Sequence, residues 1–159
     1  MTPEIASAIT ASAGRLGIDP ADLGTAISFE TGGTLSPGQY GGAGGKHLGL
    51  IQFGPEEQKK YGVKPDQPFG EQMNAVEAYL RDRGLKPGMG MLDLYSTINA
   101  GSPGRYNASD AANGGTPGSV SDKVFGAMGA HRVKMSPLLG APEGEGGNPP
   151  AGAQPMDVV

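Results

Sequence analysis

A mainly α-helical fold is what this sequence predicts, on three observations. Apolar residues recur at three- and four-residue intervals in successive stretches, as on one face of a helix. Cap-forming residues stand in front of such stretches, twice followed by a proline suited to the first helical turn (Thr2-Pro3 and Asp19-Pro20). Glycine closes them, at Gly32 or Gly33, at Gly84 and at Gly101.

The first helix is expected over about Pro3 to Leu16, capped by Thr2, with Ile5, Ile9 and Leu16 near helical period. The second gives the clearest signal. In GIDPADLGTAISFETGG, Asp19 suits the N-cap, Pro20 the first position and Asp22 the third, where the positive helix end favours an acid. Leu23, Ala26, Ile27 and Glu30 follow i, i+3, i+4, i+7 spacing and so share one face. Thr34 to Leu48 is glycine-rich and reads as a long loop or short hairpin. After the apolar GLIQF, Pro55 opens a brief helix to about Lys60. Pro68 opens a longer one with Phe69, Met73, Val76 and Leu80 at helical spacing. A further helix presents Met91, Leu94, Tyr95 and Ile98 before Gly101, with Met89 and Met91 as core filling. The last is expected over about Val120 to Met135, with Ser119 as cap and Asp122 three residues on. Beyond Pro137 the chain turns to glycine, proline and alanine without periodicity, as a linker or disordered tail does. The expected organisation is one domain over residues 1–139 and a tail over 140–159.

Composition excludes several function classes. The 159 residues leave room for one sizeable core. A net charge of −4 without a long basic run gives no footprint for nucleic acid. No run of about 18 apolar residues is present, so no membrane span is expected. The N-terminus carries an early acid and no continuous apolar stretch, unlike a secretory signal, which points to synthesis in the cytoplasm. With no cysteine there are no disulfides, thiolate metal sites or thiol nucleophiles. GGAGGKH departs from a phosphate loop, because Tyr40 takes the first glycine position and His47 replaces the Ser/Thr. His47 and His131 lack metal-ligand spacing and are expected at the surface, with no metal and no cofactor. Carboxylate chemistry remains.

Glu30 is the residue that draws attention. It ends an apolar stripe and precedes two glycines. A carboxylate so placed is costly unless paired, hydrogen-bonded or protonated, and desolvation would raise its pKa enough to let it donate a proton near neutrality. No other Asp or Glu occurs between Glu30 and Glu56. A glycosidase normally flanks the cleaved bond with two carboxylates, so either Asp66, Asp93 or Asp110 folds back or one acid serves alone.

FETGG, GLIQF and INAGSPGRY resemble, in order and rough spacing, the three signatures of lysozyme-like lytic transglycosylases and goose-type lysozymes, above all their phage-borne members. The resemblance covers about residues 15–110. It implies a lysozyme-like helical domain with a glycine-rich loop or small hairpin beside a cleft. It further implies that Glu30 is the catalytic acid, that Gln52 and the backbone around Gly49 line the cleft, and that Asn99 bonds the sugar beside the cleaved linkage. Thr31 keeps the hydroxyl of the usual serine, within the same substrate-binding set. Ile98 stands where the family has a tyrosine whose hydroxyl helps the catalytic acid, so either Tyr95 or Tyr106 substitutes or that help is absent. The implied partner is bacterial peptidoglycan, cut at the β-1,4 bond between N-acetylmuramic acid and N-acetylglucosamine, with other virion or wall-crossing proteins reached through the tail. A module that keeps the cleft and only grips the wall is the alternative. Without a second acid near Glu30, the one-acid route to a 1,6-anhydro product is the expected chemistry.

Overall fold

The computed structural model describes residues 1–109 and 117–139, and seven α-helices dominate them. They are α1 (Pro3–Leu16), α2 (Pro20–Glu30), α3 (Pro55–Tyr61), α4 (Phe69–Asp82), α5 (Met91–Ala100), α6 (Val120–Phe125) and α7 (Gly129–Leu139). Their starts obey the local chemistry. Thr2 accepts the Ile5 N–H at 3.2 Å, Asp19 accepts the Ala21 N–H at 2.8 Å, and Ser119 and Asp122 form a reciprocal capping box. The fold is mainly α, as expected. The glycine-rich stretch forms a small antiparallel hairpin, in which β1 (Tyr40–Gly41) pairs with β2 (His47–Leu48). The expected tail and the candidate acid Asp110 lie outside the described residues. No helix among the described residues is long and apolar enough to cross a membrane.

Helix α2 departs from the one-faced stripe expected of it. Every residue from Ala21 to Ser28 is buried, polar ones included, so the helix is enclosed rather than amphipathic. Helices α1, α5 and α7 pack around it. Helix α7 comes close at Gly24, where a Cβ would lie 2.2 Å from Leu139 Cδ1 and 3.3 Å from Met135 Cε. Glycine there admits the α7 side chains. Polar contacts fasten the same interface: Ser28 Oγ and His131 Nδ1 share a hydrogen bond of 2.7 Å, and Arg132 pairs with Asp22. Burial, and then the Lys134 charge, push the His131 imidazole below its ordinary value, which favours its neutral form against Ser28.

The single last helix expected over 120–135 is two helices. The break falls at Gly126, whose backbone (φ −122°, ψ −93°) leaves the helical region and whose Cα faces the Asp122 carbonyl so closely that a Cβ would sit 2.8 Å from it. Helix α7 then runs through Pro137, where a stop was expected. Proline removes one N–H from the ladder, but Met135 and Leu139 on either side of it are buried against α2. Tertiary packing overrides the local breaker.

Helix α4 is tied to α1 by a nearly buried Glu77. It accepts from Ser12 Oγ at 2.6 Å and Arg15 Nη2 at 2.8 Å, with Arg81 at 3.4 Å. Burial pushes the Glu77 carboxyl up, but the hydrogen bonds from Arg15 and Ser12 and the Arg15 and Arg81 charges outweigh it, leaving a net lowering. GLIQF forms a tight turn between Leu48 and Phe53, which exchange backbone hydrogen bonds of 2.9 and 2.8 Å. Gln72, fully buried on α4, accepts the Leu50 N–H at 2.8 Å and donates to Pro37 O at 3.0 Å, locking hairpin and turn to the helix.

Two outcomes follow from this packing. Gly24→Ala should destabilise by up to about 2 kcal/mol, a repacking cost partly offset by alanine's better helix propensity. Adding Leu139→Ala should remove much of that cost in a double-mutant cycle, and strictly additive denaturation energies would contradict the close contact. Glu77 stabilises the fold above its unfolded carboxyl value near 4.5, and that contribution is lost as pH falls through the lower folded value. Glu77→Gln should lower stability at pH 7 by roughly 1–2 kcal/mol, the arginines being half exposed and screened. It should also flatten the acid loss in urea titrations, and an unchanged pH dependence would count against the network.

Candidate functional site

Glu30 is the last residue of α2, half-buried where the enclosed helix reaches the surface. Tyr95, 1% exposed on α5, donates its hydroxyl to Glu30 Oε2 at 2.8 Å. The Tyr95 ring stands edge-on to Phe29 with centroids 5.7 Å apart, so the phenol is fixed by packing before it meets the acid. Of the two tyrosines expected to replace the missing hydroxyl, the fold brings Tyr95 to Glu30. Tyr106 goes elsewhere: it donates to Asp93 Oδ1 at 2.5 Å, which raises its own pKa, and the same Asp93 oxygen accepts the Gly104 N–H. Asp93 therefore holds the loop after α5. Asp66 is exposed ahead of α4.

One helical turn beyond Tyr95, Ile98 and Asn99 line a pocket of about 250 Å³. Gln52 and Phe53 from the GLIQF turn, His47 from β2, Glu57 from α3, Tyr79 from α4 and Arg83 from just beyond it complete the walls. Gln52 and Asn99, 47 positions apart by number (99 − 52), thus meet at one cavity. Glu30 itself is not among the residues that line the cavity, and Tyr79 stands on its wall. Its hydroxyl donates to Thr97 O at 3.0 Å, and burial raises its pKa, with Arg83 opposing and the Glu57 and Glu30 charges adding to the rise. Both carboxylates lie within electrostatic reach of that one phenol.

Thr31 and Gly49 serve the fold rather than the cavity. Thr31 is 1% exposed, and its hydroxyl donates to Ile27 O at 2.8 Å and accepts the Leu35 N–H at 2.9 Å. It closes the helix end that carries Glu30. Gly49 has φ +89°, and a Cβ there would fall 2.2 Å from Gln72 Oε1, so glycine is required for the turn to reach α4. Gln52 does both jobs: its Nε2 donates to Gln39 O and Gly49 O, each at 3.0 Å, while it lines the cavity. Its φ of +58°, uncommon outside glycine, is the kind of backbone strain that collects at functional sites.

Neither histidine is the surface group expected. His47 is half-buried on the cavity wall, and His131 is half-buried against Ser28 and, edge-on at 5.6 Å, Phe29. Ser28 with His131 has the pairing of a nucleophile and its base, yet Ser28 is fully buried and no substrate reaches it. Glu57, Tyr79, Arg83 and His47 are cavity residues that sequence reasoning missed. Glu57 lies in the first turn of α3, directly after Glu56, where an acid is an ordinary helix-start residue. Arg83 carries no local signal at all. Comparison with protein-family models, with curated proteins and with solved structures finds no match for this chain.

The Tyr95–Glu30 contact is open to direct measurement. Tyr95→Phe keeps the ring and removes the donor, and should cost about 1 kcal/mol of stability. In a cycle with Glu30→Gln the coupling should be at least about 0.5 kcal/mol, and additive losses would mean the hydroxyl does not hold the acid.

Proposed function

We propose that this protein cleaves the β-1,4 bond between N-acetylmuramic acid and N-acetylglucosamine in peptidoglycan, with Glu30 as general acid and then base. The observation that carries the proposal is the buried Tyr95 hydroxyl on Glu30, on the helix that one turn later gives Asn99 to a cavity shared with Gln52. Three sequence-distant segments that resemble the signatures of lysozyme-like lytic enzymes contribute to one neighbourhood. Tyr95 supplies the hydroxyl that Ile98 lacks, which supports catalysis over a module that only grips the wall.

In the proposed step, protonated Glu30 gives its proton to the glycosidic oxygen as the bond from that oxygen to C1 of N-acetylmuramic acid breaks. The carboxylate then takes the proton of the same sugar's 6-hydroxyl while O6 bonds to C1, closing a 1,6-anhydro ring and restoring the acid. No second carboxylate is consumed. Glu57 is engaged by Arg83 at 3.1 Å, which leaves the proton transfers to Glu30. Tyr95, donating to Oε2, orients the carboxyl group throughout.

Glu30→Gln should keep the fold and lower glycan cleavage by about 10²–10⁴-fold or more, the usual general-acid contribution, as read from fragments released from purified wall. Turnover like that of the parent chain would sink the assignment. Digestion in oxygen-18 water should leave the new ends unlabelled. Label entering each new end would make water the nucleophile and the reaction a hydrolysis with a second acid.

A further inference from the structure

We infer that the cavity at Glu57 and Arg83 is a subsite for the uncharged hexosamine of an alternating glycan strand, and that Glu57 sets the strand's register by rejecting the carboxylate-bearing sugar. The inference rests on the glycan-cleaving function proposed above and names residues outside all three motifs. Arg83 Nη2 donates to Glu57 Oε2 at 3.1 Å, and the guanidinium lies 5.1 Å from the Tyr79 ring centroid. A Cβ on Gly101 would come within 3.1 Å of Arg83 Nη1, so the glycine after α5 makes room for that end of the fork. On the other side, a Cβ on Gly54 would come within 2.8 Å of Glu57 Oε1. Two glycines thus accommodate a charged pair that packs on an aromatic face.

What such a pair binds follows from its charge. Glu57 and Arg83 cancel each other, and side by side they offer acceptor oxygens and donor N–H groups. An arginine has five N–H donors, and among the described residues one of those of Arg83 is hydrogen-bonded. Gln52 and Asn99 stand on the wall beside the pair, Gln52 Nε2 already donating to Gln39 O and Gly49 O. Hydroxyl and acetamido groups donate and accept at once, and match it. A carboxylate only accepts. To use Arg83 it must share the guanidinium with Glu57, and two like charges then face each other in a cavity only partly open to water. Side-chain exposures of 28% for Glu57 and 39% for Arg83 place both within reach of a ligand and shield them more than a surface pair. In peptidoglycan the sugar with the lactyl carboxylate alternates with one that lacks it. A subsite that admits the second places the first one residue along the strand, toward Glu30.

The test is a pair of affinities measured by calorimetry in the Glu30→Gln background, so that nothing turns over. The probes are the single sugars N-acetylglucosamine and N-acetylmuramic acid with its free lactyl carboxylate, so that neither can offer the cavity a different neighbouring residue. The chain should prefer the neutral probe by about tenfold or more. Glu57→Gln should bring the ratio toward one, by weakening the neutral probe and strengthening the acidic one. Arg83→Met should weaken both. An unchanged ratio in Glu57→Gln, with helical circular dichroism retained, overturns the inference, and so does a parent preference for the acidic probe, which would make Arg83 a carboxylate reader. If the parent chain digests wall while the ratio stays unmoved, register selection fails and the cleavage proposal stands. If the parent chain digests nothing, both fail.

Discussion

Helix α2 is enclosed by protein from Ala21 to Ser28, and the rest of the structure depends on that enclosure. A helix without a solvent face cannot rotate or slide without breaking contacts with α1, α5 and α7 together, because packed interiors resist small displacements. Gly24 sets how closely α7 approaches, Ser28 and Asp22 fasten it, and Thr31 ends the helix with a hydroxyl bonded on both sides. The first residue past this enclosure that carries chemistry is Glu30. Its position is set by a rigid element, which is what the proposed proton-transfer role requires when a displacement of about 1 Å costs two orders of magnitude.

The second half of the arrangement comes from α5. That helix presents Tyr95 to Glu30 and, one turn later, Ile98 and Asn99 to the cavity. The loop after it is pinned back by Asp93, which accepts from Tyr106 and Gly104, and by Ser96, which donates to Ser102 O and accepts from Arg105 N. The hairpin and the GLIQF turn are held independently, through Gln72 on α4. Two rigid supports therefore converge on the cavity. The residues that lie between them, Tyr79 and Arg83 from α4 and its end, feel both acids or pair with one of them.

The parts legible in the sequence were those governed by local rules. Caps at Thr2, Asp19 and Ser119, and the glycine stop at Gly101, act over a few residues and read directly from the string. The failures have non-local causes. Periodicity marked Leu23 to Glu30 as a stripe, but neighbours on every side bury Thr25 and Ser28 as fully as Leu23. Pro137 reads as a stop, and α2 packing carries the helix past it. For the site, Gln52 and Asn99 sit in recognisable segments and line one cavity, while Tyr95 reaches Glu30. Thr31 and Gly49 belong to those segments too, yet their atoms serve the helix end and the turn. Glu57 and Arg83 were invisible because an ion pair across 26 positions leaves no mark on either local stretch.

The central claim is that a glycan strand lies beside Glu30 and along the cavity shared by Gln52, Glu57, Arg83 and Asn99. Amide chemical-shift mapping of the isotope-labelled Glu30→Gln chain, titrated with soluble glycan-strand fragments, tests it most directly. The account predicts that the largest shifts cluster at the end of α2, in the GLIQF turn and over the second half of α5, with α6 and the outer face of α7 unmoved. Shifts confined to α6 and α7, or none at saturating fragment, would contradict it.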